Sequence, residues 1–172
     1  AGGSVFLYYG EELGMKGSGK DENKRAPMYW SKDDKAEGMC KGPADMEDFQ
    51  MKFDSLEEQQ EDPDSIYNYV KQVIRIRNQN PAIARGTTTY LEQYSGEQCF
   101  ALTRSYEGSN LLLLGNTSAE AVSVDLTGLT VGGTTAEELV LLGELYTGEE
   151  TAERAGTVVT LPAYSILILG EE

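Results

Sequence analysis

The stretch Ser4-Val-Phe-Leu-Tyr-Tyr-Gly-Glu-Glu-Leu-Gly-Met15 decides how the chain is read. Residues 4–9 are almost wholly apolar, β-branched or aromatic. An apolar run of this length without alternation predicts a strand buried on both faces, as in a parallel sheet covered by helices. The run breaks at Gly10, two carboxylates follow, and a long polar segment opens after them. A buried strand ending in an acidic turn has the layout of a barrel strand that delivers a loop to an active-site face. Such a strand needs neighbours, and the residues before Ser4 supply none. The chain is therefore expected to be the tail of a larger protein. Its strand 4–9 would be an orphan open to self-association, and residues 1–62 would be rearranged, disordered or paired with another copy.

Downstream, Gly17, Gly19, Pro27, Gly38, Gly42 and Pro43 punctuate a loop region over 16–62. Loops of this length serve a function or are disordered. Residues 62–80 predict a helix: Asp62 can cap it, Pro63 suits its first position, and Ile66, Val70, Val73, Ile74 and Arg77 recur at three and four. Asn80-Pro81 stops it. After Gly86 the pattern shifts to short runs near 87–94, 98–106, 110–116, 120–126, 138–146, 157–161 and 164–169, with Gly, Asn and Ser between them. That spacing predicts an antiparallel β-sandwich. The fold class is thus mainly β, a C-terminal antiparallel sandwich preceded by the last βα unit of a (β/α)8 barrel. The domains would be 1–85, the end of the barrel, and 86–172, the sandwich.

Composition excludes several functions. The chain has 172 residues and a formal charge of −15, and from residue 86 onward it holds two basic residues against thirteen acidic ones. Nucleic acid and anionic membrane both require cationic surface, so neither is an expected partner. No histidine is present, which removes the commonest general base and zinc ligand. Cys40 and Cys99 lie far apart in sequence and read either as two free thiols or as a pair formed in an oxidising compartment. No apolar run approaches a membrane span.

The order of these pieces resembles the C-terminal part of the α-amylase family of glycoside hydrolases. Tyr8-Tyr-Gly-Glu-Glu-Leu-Gly-Met15 looks like that family's last barrel strand and its exit. Arg25-Ala-Pro-Met-Tyr-Trp30 is similar to the Arg-Thr-Pro-Met-Gln-Trp motif of its oligoglucosidase branches, with Ala26 in place of Thr and Tyr29 in place of Gln. The segment Asp64–Pro81 looks like the final barrel helix, and the part after Gly86 fits the sandwich that closes the family's barrel. The resemblance implies a parent enzyme, secreted or at the cell surface, that cleaves α-glucans such as starch and maltooligosaccharides. The alternative is a separately folding carbohydrate-binding or structural sandwich module.

The resemblance also implies what this chain lacks. A retaining mechanism needs two carboxyls about 5 Å apart. The family carries them on earlier barrel strands, and no matching motif occurs here, so no catalytic residue is assigned and the chain alone is expected to be inactive. Glu11 and Glu12 are neighbours, and adjacent strand residues point to opposite faces, so they read as loop anchors. Asp21, Arg25 and Trp30 are the candidate substrate-binding residues. Arg25 reads either as a cleft-rim contact or as a surface ion pair with Asp21 or Glu22. Trp30 could stack on a sugar ring or anchor the loop. Asp21-Glu22-Asn23 offers oxygens suited to calcium, which the resemblance allows in the parent enzyme, but without EF-hand spacing it reads as a solvated loop. No cofactor is expected.

Overall fold

The computed structural model describes residues 4–171. Two compact units divide the chain: residues 5–72 form the first, and Ser4 with residues 73–171 the second.

Ahead of the acidic turn, residues 4–8 form no strand, contrary to the expected strand 4–9. Val5 and Phe6 are 74% and 90% exposed. A strand exists only as a member of a pair, and no described segment pairs with this one. The chain then enters a single 3₁₀ turn, Glu11–Leu13, between two glycines with positive φ, Gly10 at 86° and Gly14 at 64°. A side chain at Gly14 would lie about 2.7 Å from Phe53 and Ile66 and would be strained by the positive φ, so the position favours glycine.

Where the sequence reads as one long loop, a short helix forms, α1 (Leu56–Glu61). Ser55 and Glu58 make a capping box at its start. The longest helix, α2 (Ile66–Gln79), begins four residues later than the sequence implies. Asp62 instead accepts the Asp64 amide at 3.0 Å in a turn, and the Ser65 hydroxyl receives the Asn68 amide at 3.2 Å. Pro81 does stop α2, then opens a third helix, α3 (Pro81–Arg85).

The second unit is antiparallel throughout its main sheets. Its strands are β1 (Thr87–Tyr90), β2 (Cys99–Tyr106), β3 (Ser109–Asn116), β4 (Val122–Asp125), β5 (Thr130–Val131), β6 (Thr134–Thr135), β7 (Val140–Leu145), β8 (Glu153–Ala155), β9 (Val158–Leu161) and β10 (Ile166–Gly170). One sheet has the order β1-β2-β3-β10-β7, and another has β4-β9-β8. Between them lies one core: Ala101, Leu112, Leu114, Leu167 and Leu169 from the larger sheet meet Val124, Val159 and Leu161 from the smaller. This is the sandwich that the spacing of short runs predicts. Glu107 and Gly108 both take positive φ, 49° and 87°, which a two-residue hairpin between β2 and β3 requires. Leu111–Leu114 do not alternate, because β3 is covered on both faces: Leu112 and Leu114 face the sandwich core, and α3 packs on the other side.

On the other face of β2, Arg104 is 1% exposed. Its Nε donates to the Ala82 carbonyl at 3.0 Å, its Nη2 to Ile83 at 2.7 Å, and its Nη1 to the Thr88 hydroxyl. A buried charge is thus held by backbone and hydroxyl oxygens where α3 meets the sheet.

Two carboxylates tie turns of this unit. Asp125 Oδ1 accepts the Thr127 hydroxyl at 2.7 Å, the Thr127 amide at 2.9 Å and the Thr157 hydroxyl at 3.0 Å. Glu138 Oε2 accepts the Thr135 hydroxyl at 2.7 Å and its amide at 3.2 Å. Hydrogen bonds from Thr127 and Thr135, respectively, hold these carboxyls below their ordinary range. A carboxyl with a depressed folded pKa stabilises the fold above its unfolded pKa, and that contribution is lost as pH falls through the folded value. The unit's melting temperature should therefore drop as pH falls below about 4, the ordinary carboxylate range. Glu138→Gln should flatten that acid limb, read by circular dichroism melts between pH 6 and about pH 3. A variant whose acid limb is as steep as wild type would remove Glu138 from this account.

Candidate functional site

The site is built on the acidic turn of the first unit. With Gly10 at positive φ, the chain reverses and the two glutamates fold back onto it. Glu11 Oε2 accepts the Tyr8 amide at 3.1 Å, and Glu12 Oε2 accepts the Gly10 amide at 2.8 Å. Both carboxylates are engaged by the turn's own backbone. Tyr8 and Tyr9 stand side by side, ring centroids 4.7 Å apart at 41°. The Tyr9 hydroxyl donates to the Ala26 carbonyl at 3.0 Å, and burial pushes its pKa up. An open groove of about 400 Å³ results, lined by Tyr8, Tyr9, Glu11, Lys16, Asn23 and Lys24 among others. Two aromatic rings beside ammonium, amide and carboxylate groups can stack on an apolar face and hydrogen-bond hydroxyls.

The 20–30 loop is pinned from beneath by Asn23, which is 3% exposed. Its amide nitrogen donates to the Ser18 carbonyl at 2.9 Å and to Glu47 at 2.7 Å, and its oxygen accepts the Glu47 amide at 3.0 Å. Asp21 and Arg25 share the turn above it. Lys24 lies 3.2 Å from Asp21 Oδ1, the Arg25 Nε donates to the Asp21 carbonyl at 3.3 Å, and Arg25 Nη2 lies 3.4 Å from Glu22. Arg25 therefore sits in a local, solvent-exposed ion pair. Trp30 is 42% exposed, and its backbone carbonyl accepts the Glu57 amide at 3.1 Å, so its peptide caps α1 while the ring stays accessible. Asp21 and Arg25 come together in one turn, and Trp30 lies beyond it at the start of α1.

In the Asp21-Glu22-Asn23 triplet one oxygen of each side chain receives Lys24, Arg25 and the Glu47 amide, respectively, and among the described residues no three His, Cys, Asp or Glu side chains converge on a metal. Cys40 and Cys99 are both free. No helix among the described residues is long and apolar enough to cross a membrane.

Two further groups carry the site's framework. Lys32 Nζ lies 2.5 Å from Glu58 and 3.1 Å from Asp54, and the Lys32 hydrogen bond holds the Glu58 carboxyl below its ordinary range. Gln59, 3% exposed, donates from Nε2 to the Leu13 carbonyl at 3.0 Å and to Asp54 at 2.7 Å, while its Oε1 accepts the Tyr67 amide at 3.1 Å. It fastens the acidic turn to α1 and the start of α2. The Ser55-x-x-Glu58 spacing is the one sequence signal that marks this region as helical.

An acidic turn, a pinned loop, an amphipathic helix and an antiparallel sandwich follow one another in that order along the chain. A family model described as the α-amylase catalytic domain matches residues 1–86, half of the chain, and the chain belongs to the α-amylase family. Among curated proteins, Alpha-amylase 3 of Dictyoglomus thermophilum is 36% identical over 84 residues, 49% of this chain and 17% of that protein. Among solved structures, Eubacterium rectale Amy13B superposes with a TM-score of 0.91 at 43% identity, covering 99% of this chain and 32% of that one. An α-amylase from H. orenii superposes with a TM-score of 0.69 at 26% identity, over 97% of this chain and 32% of that one. The chain thus spans about a sixth of the Dictyoglomus protein and about a third of each structural relative.

Proposed function

We propose that this chain is the C-terminal part of a retaining glycoside hydrolase acting on α-glucans. Residues 1–85 would supply the end of its catalytic barrel and residues 86–172 its sandwich. The observation that carries the reading is the acidic turn and the 20–30 loop, assembled into one groove with tyrosine rings and hydroxyl-binding groups. Similarity to α-amylases over the same residues supports it, and the family match ending at residue 86 supports the domain division. Arg25 and Asp21 then lie at the rim of the substrate cleft, and Trp30 offers a ring to a glucose unit. Their local pairing keeps the Arg25 guanidinium oriented until a sugar hydroxyl displaces Glu22.

The same reading makes the isolated chain inactive, since the two carboxyls of a retaining mechanism belong to motifs this sequence does not contain, and Glu11 and Glu12 serve the backbone of the turn. Incubation of the purified chain with maltoheptaose should release no reducing sugar. Grafted in place of the matching third of Amy13B, the chain should give a hydrolase acting on maltoheptaose, and Arg25→Ala in that chimera should raise KM about tenfold, the effect of losing one charged hydrogen bond. Sugar release by the chain alone would overturn the inactive reading. A folded chimera with no hydrolysis would overturn the α-glucan reading.

A further inference from the structure

The second unit holds five arginines and no lysine. Two of them hold backbone oxygens inside the unit. Arg104 is buried on backbone oxygens, and Arg154 donates to the Leu139 carbonyl at 2.6 Å and to the Ala136 carbonyl. Arg77 and Arg85 are different. They stand eight residues apart on α2 and α3, and the corner at Asn80-Pro81 turns both toward one pocket of about 410 Å³. Ser4, Asn78, Pro81 and Ala84 complete its lining. Among the described residues, neither guanidinium lies within 4.0 Å of a carboxylate, although the unit is rich in acid. The Arg85 guanidinium is held 6.0 Å over the Tyr106 ring, a contact that limits its freedom.

We propose that this pocket is an oxyanion site, in which Arg77 and Arg85 grip a phosphate or carboxylate group from two sides. Arginine suits that task because its planar fork donates paired hydrogen bonds to an oxyanion and stays charged at every relevant pH. Asn78 and Ser4 add neutral donors, and the pocket has room for the group that carries the anion. In a chain of charge −15, two arginines that pair with no carboxylate of the described residues and are brought to one cavity mark a place where negative charge is received from outside the unit. The inference stands apart from the α-glucan reading.

Titration of the full chain at constant ionic strength, followed by calorimetry and by arginine side-chain NMR, tests it with inorganic phosphate, acetate and chloride as probes. Phosphate or acetate should bind saturably where chloride does not, with the Arg77 and Arg85 resonances shifting. Tighter binding of phosphate assigns the site to phosphorylated ligands, and tighter binding of acetate to a carboxylate. Arg77→Gln and Arg85→Gln should each weaken binding about tenfold or more, and Arg75→Gln, the same charge change on the same helix outside the pocket, should stay within about twofold. Arg85 is exposed, so its variant carries the test if Arg77→Gln fails to fold. Equal weakening by Arg75→Gln, or phosphate and acetate no better than chloride, would sink the proposal.

Discussion

Arg104→Met is expected to destabilise the second unit by about 3 kcal/mol or more, one of the largest effects of any single replacement in the chain. Methionine keeps most of the buried stem, so the loss comes from the head group. The guanidinium gives hydrogen bonds to Ala82, Ile83 and Thr88, and it is 1% exposed. Bonds from a charged donor contribute about 1.5–3 kcal/mol each, and an unsatisfied buried acceptor costs about 1–3 kcal/mol. The Ala82 carbonyl retains a second donor, the Gly86 amide at 2.9 Å, and Thr88 is exposed and can turn its hydroxyl to water, so the Ile83 carbonyl bears most of the loss. For a chain of this size the melting temperature should fall by about 10 °C. Arg104→Lys keeps the charge but not the fork, and should recover only part of it. A methionine variant melting within about 2 °C of wild type would show that the guanidinium contributes little, as happens where a buried charge only offsets its own desolvation.

Arg104 also shows where a sequence reading stops. Along β2, Phe100, Leu102, Arg104 and Tyr106 share the face opposite the sandwich core, and an arginine on such a face reads as solvent-facing. It is buried because α3, a helix of five residues absent from the sequence reading, lies over it. The bounds of β2 and β3 were legible almost to the residue, since the runs 98–106 and 110–116 are marked off by polar and glycine residues between them. Strand 4–9 was not. An apolar run states that burial is wanted, and a strand also needs a partner, which no residue within the run specifies. In the loop, Asn23 reads as one of three solvated polar residues, and its burial depends on Glu47, twenty-four residues further on. Of the candidate site, the composition of the acidic turn and the Arg25–Trp30 motif were visible, whereas the contacts that fix them were not.

Gln59 is the clearest of those contacts, and Gln59→Leu is expected to cost about 2–4 kcal/mol of local stability in the first unit. Leucine fills nearly the same volume, so no large cavity opens. It leaves the Leu13 and Asp54 carbonyls and the Tyr67 amide without the partner they now share. The Leu13 backbone closes the acidic turn, so the turn should open more often. Hydrogen exchange at the Gly14 and Tyr67 amides should quicken about a hundredfold, the equivalent of about 2.8 kcal/mol at ~1.4 kcal/mol per factor of ten. Unchanged exchange at both amides would mean that the turn is held by Phe53 and Ile66 packing around Gly14 instead. Gln59→Glu separates the two accounts through its pH dependence. An ionised carboxylate there can accept from Tyr67 but would face two carbonyl oxygens, so the folded state raises its pKa. A raised acid pKa makes the folded form relatively more stable as pH falls, since protonation restores one donor. Exchange at Gly14 in Gln59→Glu should therefore slow between about pH 7 and pH 5 relative to Gln59→Leu, after correction for intrinsic rates, if donation to Leu13 is what holds the turn beneath the groove.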